Sequence, residues 1–201
     1  MNPYINNDIM KNTFIHTAIT TKNVIKKCIS QPVVQAIASS WLIALGAHIS
    51  VPFYPVPMTL QTFAIALISL TMPLKVSLSS VTLYVSYAAM GLPVLQGGNS
   101  GMAALCGHTA GYIAGFFFMS TIISLGMKHL QTNNMLKRLS LVILGTAVVF
   151  VLGLTRLAFL FQWNWQLALK LGLFPFLLSE PVKCILATYI SLCIQNRDSN
   201  K

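Results

Sequence analysis

Acidic residues are almost missing from this chain of 201 residues: it has three, Asp8, Glu180 and Asp198, against 13 lysines and arginines. Charged residues of both signs make up only 8% of it, where an ordinary globular domain carries roughly 25%. So few charges cannot clothe a water-facing domain of this size, which excludes a soluble globular fold. With 55% hydrophobic residues and a mean hydropathy of +0.72, the chain has the bilayer as its expected solvent.

Other absences narrow the function. No G-x-x-x-x-G-K-[ST] phosphate loop occurs, so ATP hydrolysis through a Walker site is excluded. No two carboxylates lie close enough in sequence for paired acid and base work, and neither G-x-S-x-G nor H-E-x-x-H is present, which disfavours an enzyme. The four cysteines, at 28, 106, 184 and 193, form no C-x-x-C pair, and the four histidines are dispersed, so neither a metal site nor a cofactor is expected. The basic residues sit between apolar runs without forming a basic helical face, so nucleic acid is not an expected partner. Nor is there a ladder of acids and histidines of the kind that proton-coupled pumps use. The first 30 residues lack the charged, apolar and small-residue zones of a secretory signal and are expected to be retained. With Lys11, Lys22, Lys26 and Lys27 they suit either a segment on the cytoplasmic membrane surface or a disordered tail. No repeat of 20–50 residues and no clear inverted similarity between the halves is visible.

What the chain does have is apolar runs. A membrane helix needs about 20 apolar residues, and breaks in the pattern give six candidate spans. They run from about Pro32 to Ser50, through "MTLQTFAIALISLTM", from about Leu74 to Met90, from near Met102 to about Gly126, from about Leu139 to Thr155, and from Ser179 or Glu180 to near Cys193. The expected fold is an all-α membrane protein of six transmembrane helices, with 1–31 and 196–201 as cytoplasmic tails around a membrane domain at 32–195. Ten of the 13 basic residues fall on one side of that arrangement, so both termini are expected in the cytoplasm. The connection between the fifth and sixth spans departs from the pattern, because it holds Arg156, Lys170, Glu180 and Lys183.

Four constellations can carry chemistry. Glu180 and Lys183 share one helix face at i, i+3, with Pro181 suited to a first helical turn. They read either as an interfacial ion pair or as a functional pair, since ionisable groups at membrane depth are costly. "GGNSG" at 97–101 puts Asn99, an amide with donors and an acceptor, beside the permissive Gly97 and Gly98. After it, Gly107, Gly111 and Gly115 recur every four residues and read as a helix-packing face, with Tyr112 either an interface aromatic or a ring against a ligand. "VPFYPVPMTLQTF" supplies Thr59, Gln61 and Thr62 near a span entrance, as caps or as uncharged ligand contacts. Ala36, Ser40 and Ala44 form a small-residue stripe on the first span, suited to packing within the bundle or to docking another membrane protein.

In order along the chain, "VPFYPVPMTLQTF", "GLPVLQGGNSG", "CGHTAGYIAGF" and "LFPFLLSEPVK" resemble the BioY family, the biotin-binding S components of energy-coupling-factor (ECF) transporters. The resemblance covers roughly residues 33–195. It implies a six-helix S-component fold in the bacterial cytoplasmic membrane that captures biotin from outside. It implies as partners a transmembrane coupling protein of the EcfT type and two cytoplasmic ATPase subunits of the EcfA type, with Ala36, Ser40 and Ala44 as the docking stripe. Carried onto this chain, the ligand site comprises Asn99, Glu180, Lys183, Tyr112, Gln61, Thr59 and Gly98.

Three departures stand out. "GHTAGY" at 107–112 replaces a pattern that often reads GPTGGY, Glu180 stands where the family usually has an aspartate, and the segment 161–172 matches no motif. They leave open an S component for another vitamin. A purely structural membrane protein, without a small-molecule ligand, is the alternative from another class.

Overall fold

The computed structural model describes residues 31–199. Residues from Ala36 onward pack as one unit, which holds every residue of the candidate site. The expectation for the tail at 1–30 lies outside the described residues.

Proline placement sets the first elements. Helix α1, Pro32–His48, begins on a proline, whose fixed φ suits a first turn. The proline-rich stretch after it does more than end the helix. It folds back as a two-residue antiparallel pair, β1 (Ser50–Val51) and β2 (Met58–Thr59), with Ser50 opposite Thr59 and Val51 opposite Met58. The all-α expectation is corrected to that extent. Helix α2, Gln61–Thr71, stops at Met72 because Pro73 cannot continue it, and α3, Leu74–Ala89, starts directly behind that proline.

The expected fourth span is not continuous. A short α4, Gly101–Leu105, is separated by a turn at 106–109 from α5, Ala110–Leu130. The expected fifth span is longer than the apolar run: α6 covers Met135–Leu160 and takes Lys137, Arg138 and Arg156 into the helix. Arg138 is fully buried there. Its guanidinium donates to the Thr132 carbonyl at 2.9 Å, to Ser191 Oγ and Asn133 Oδ1 at 3.2 Å each, and to Gln195 Oε1. Arg156 donates to the carbonyls of Cys106 at 2.5 Å and Gly107 at 3.4 Å, which ties α6 to the turn before α5. The unplaced segment forms α7, Trp165–Gly172, followed by a 3₁₀ turn at Phe174–Phe176. The last helix, α8, runs from Ser179 to Ser199, past the expected end.

Helices α5 and α6 make the most extensive contact, and glycine makes it close. A Cβ on Gly115 would lie 2.6 Å from Val149 Cα, and one on Gly111 would collide with the Leu152 carbonyl. Two members of the glycine series therefore pack helices, whereas Gly107 lies in the turn ahead of α5. Helix α2 is packed against α3, α5 and α8, with Ala64, Ile65, Ala66 and Ile68 buried. Near its C-terminal end, Ser69 donates to Ser120 Oγ at 3.3 Å, and Ser124 donates to the Ser69 carbonyl at 3.2 Å. Interhelical hydrogen bonds of this kind tie spans together where apolar packing alone gives little preference over lipid.

Helices α5 and α6 are each long and apolar enough to cross a membrane. The bent pair Trp165–Phe176 and Ser179–Arg197, at 45°, would make a third span if it acts as one. Helix α2, with 11 residues, rises only about 16 Å at about 1.5 Å per residue, against the roughly 30 Å of a hydrocarbon core.

Candidate functional site

The site forms where the β1–β2 turn, the starts of α2 and α5, the 3₁₀ turn at 174–176 and the first turn of α8 converge. Helix α8 buries Glu180, Lys183, Cys184, Ala187, Thr188 and Ser191, one face repeating at helical spacing. That repeat carries both charges inward although the chain nearby is greasy. Lys183 Nζ donates to Glu180 Oε1 at 2.6 Å and to the Thr59 carbonyl at 2.6 Å, so the β2 strand is clamped onto the helix. Thr62 Oγ1 donates to the same carboxylate oxygen at 3.2 Å.

The other oxygen is left over. Glu180 is 7% exposed, and its Oε2 is the one buried side-chain polar atom among the described residues without a hydrogen-bond partner. Leaving such an acceptor unpaired costs about 1–3 kcal/mol, more for a charged group, so the position favours an arriving N–H or O–H donor.

The uncharged groups are held in place around it. Thr59 donates to Gln61 Oε1 at 3.0 Å, and Gln61 Nε2 donates to the Tyr84 hydroxyl at 2.5 Å, which fixes the buried amide. Tyr112 is buried, donates to the Gly172 carbonyl at 2.9 Å, and stands edge-on to Phe150 at 6.0 Å and 88°. Gly153 and Gly172 leave the space its ring and hydroxyl occupy.

Thr59, Gln61, Tyr112 and Glu180 line one cleft, with Thr62, Gln96, Ile113, Phe116, Phe150 and Phe176. The cleft is narrow, with a cavity volume of about 40 Å³. Lys183 stands behind Glu180 as its ion-pair partner.

Two of the expected residues are not brought in. Asn99 is exposed and its Nδ2 donates to the Gln96 carbonyl at 2.9 Å, while the exposed Gly98 takes φ +75° in the same loop. Gln96, from that loop, lines the cleft instead. Sequence reading missed it, although its place beside "GGNS" was the available signal. Phe150 and Phe176 were missed as well, because an aromatic residue in an apolar run looks like any core residue.

Ala36, Ser40 and Ala44 are all buried, whereas Ile37, Trp41 and Leu45 of the same helix are exposed. The small-residue stripe is therefore not an open face in this structure. The ring of His108, where the motif departs, lies 6.1 Å from Tyr54 and 6.5 Å from Phe161, and does not line the cleft. Among the described residues no group of His, Cys, Asp and Glu is placed to hold a metal.

Comparison with known proteins gives concordant results. The family model described as BioY family matches residues 11–199. The biotin transporter BioY2 of Lactococcus lactis subsp. cremoris is 36% identical over 160 residues, covering 76% of this chain and 87% of that protein. The biotin transporter BioY of Thermotoga maritima is 32% identical over 151 residues, covering 75% of this chain and 88% of that protein. Among solved structures, the fold is similar to one described as the crystal structure at 2.1 Å of the S-component for biotin from an ECF-type ABC transporter. The TM-score is 0.75 at 27% identity, over 82% of this chain and 90% of that one.

Proposed function

This chain belongs to the BioY family, and from that premise we propose that it is the biotin-binding S component of an ECF-type transporter. It is a multi-pass membrane protein that binds the vitamin and has no ATPase site of its own. The observation that carries the reading is the unpaired Oε2 of Glu180 in a cleft otherwise lined by uncharged hydrogen-bonding groups and aromatic rings. Biotin offers a ureido ring with two N–H donors and a carbonyl, an apolar thioether bicycle and a valerate carboxylate.

In this reading Glu180 accepts a ureido N–H, and Lys183 holds the carboxylate in position and balances its charge. Gln61 and Thr59 complete the polar wall. Tyr112, with Phe116 and Phe150, covers the bicycle. Asn99 and Gly98 belong to the rim, where the Asn99 amide exchanges the Gln96 carbonyl for the ligand. The longer glutamate is compatible with the site because Thr62 and Lys183 both engage its other oxygen.

The finer topology belongs to the same proposal: six crossings, residues 32–195 in the membrane, and tails 1–31 and 196–201 in the cytoplasm of a bacterial cell. The coupling partner of the EcfT type and two ATPases of the EcfA type supply the energy. Docking through Ala36, Ser40 and Ala44 requires that the buried stripe be uncovered. Equilibrium binding of labelled biotin to the purified protein, with a panel of unlabelled vitamins as competitors, tests the assignment. Saturable binding displaced by biotin alone is expected. Displacement by another vitamin would transfer the site to that compound, and no binding of any would leave only a structural role.

A further inference from the structure

Resting on the biotin reading of the cleft, we propose that Phe176 sets the size of ligand the site accepts. Its ring withdraws on binding into the apolar groove on the other side of it.

A cavity of about 40 Å³ is far smaller than the roughly 150 Å³ that takes benzene, so a bicyclic ligand needs the cleft to widen. Several walls are held. On the α5–α6 side, Val149 is in backbone contact with Gly115, and Tyr112 is held in the space left by Gly153 and Gly172 with its hydroxyl bonded. The polar wall is fixed by the Thr59–Gln61–Tyr84 chain and by the Lys183 clamp on the Thr59 carbonyl.

Another wall is the Phe150–Phe176 pair, with rings 5.5 Å apart and inclined at 65°. Both residues, and Glu180, line the cleft and also a second space of about 490 Å³ between α6 and α8. That space is an open groove bounded by apolar side chains such as Ile143, Ala147, Val151 and Leu177, with Ile143, Val151 and Leu177 exposed. Moving a ring into it displaces no packed protein atoms, whereas moving the α5–α6 wall compresses a close-packed contact. Of the two rings, Phe150 is carried by the continuous helix α6. Phe176 ends a three-residue 3₁₀ turn containing Pro175, held by only two backbone bonds, from Phe176 N–H to the Leu173 carbonyl at 2.9 Å and from Leu177 N–H to the Phe174 carbonyl at 3.3 Å.

Ala147 lines the groove and not the cleft, which separates this proposal from the functional reading beneath it. Ala147→Phe fills the space behind the Phe176 ring. Biotin binding by the purified protein in lipid nanodiscs should weaken by roughly tenfold or more, and adding Phe176→Ala to the same chain should restore it. Phe176→Ala alone should raise affinity for analogues enlarged at the thioether ring relative to biotin.

Parent-like biotin affinity in a folded Ala147→Phe protein, or an unchanged analogue-to-biotin ratio in Phe176→Ala, overturns the proposal. If Ala147→Phe does not fold, Phe176→Trp in bilayers of brominated acyl chains supplies the second test. Saturating biotin should increase quenching of the introduced indole beyond any change in the parent, and no increase overturns the proposal. A parent protein that binds no biotin would remove the functional reading first, and this inference with it.

Discussion

A single oxygen atom separates a structural ion pair from a binding site here. Had Glu180 spent both oxygens on Lys183 and Thr62, the pair would explain itself as a clamp between α8 and β2. Neutralising one partner and neutralising both therefore have different expected outcomes. Lys183→Met leaves a buried carboxylate without its cation, so it should lower melting temperature, by the equivalent of about 3–5 kcal/mol, as well as abolish biotin binding. Glu180→Gln should weaken biotin binding roughly 10- to 150-fold, the value of about 1.5–3 kcal/mol for a hydrogen bond to a charged group. The double variant should regain much of the lost stability without regaining binding. Melting curves and titrations of all three proteins check this, and restored binding in the double variant would show that the charges serve only the fold. Tyr112→Phe is the milder case. Losing the bond to the Gly172 carbonyl should cost about 1 kcal/mol in stability while the ring against Phe150 remains.

Helices carry these residues, and their contacts decide how accurately. The α5–α6 contact positions Tyr112, Ile113 and Phe116 on one side and Val149 and Phe150 on the other, so cleft width depends on the glycines between them. Gly115→Leu would place its Cβ 2.6 Å from a backbone atom that cannot turn away, and the helices must separate. The expected cost is about 1–3 kcal/mol or more, seen as a lower melting temperature together with weakened biotin binding. Gly107→Ala, in the turn before α5, meets the Ala104 carbonyl at 3.2 Å and should be better tolerated. Comparing the two variants measures whether the four-residue glycine spacing is one feature or two. Helix α7 has its place in the same account: Gly172, at its end, receives the Tyr112 hydroxyl, so a segment without a readable motif supports a site residue.

For the whole molecule, the chemistry on this chain binds but does not drive. Among the described residues it has one buried acid–base pair, and no phosphate loop occurs in the sequence; in the proposed assignment the energy for a gradient comes from partner proteins. Reconstituted alone into ATP-free vesicles, the protein should equilibrate or retain biotin without concentrating it. Accumulation above the outside level, measured with labelled biotin, would contradict the assignment of energy to ATPase subunits. Reporter tags at both termini should be accessible from the same, cytoplasmic face, and a tag in the 91–100 loop from the opposite one. That result would test the six-crossing arrangement, which helix length alone leaves at two or three clear spans.

The sequence by itself determined the solvent, most helix stops and the acid–base pair. Those depend on composition, on proline and on spacing along one helix, all of which are local properties. It also placed Thr59, Gln61 and Tyr112, through motifs that resemble a family. Tertiary structure decided the rest. That α6 extends through Arg138 and Arg156 follows from acceptors far away in sequence or in neighbouring turns, which a hydropathy pattern does not see. That Gln96 lines the cleft while Asn99 turns to its own loop is a matter of backbone direction in a glycine-rich turn. The unpaired oxygen of Glu180 and the aromatic wall of Phe150 and Phe176 exist only once α6, α8 and the 174–176 turn meet the segments around α2 and α5. No local rule encodes which of a carboxylate's two oxygens is already occupied, or which of a chain's many phenylalanines stands with space on both sides.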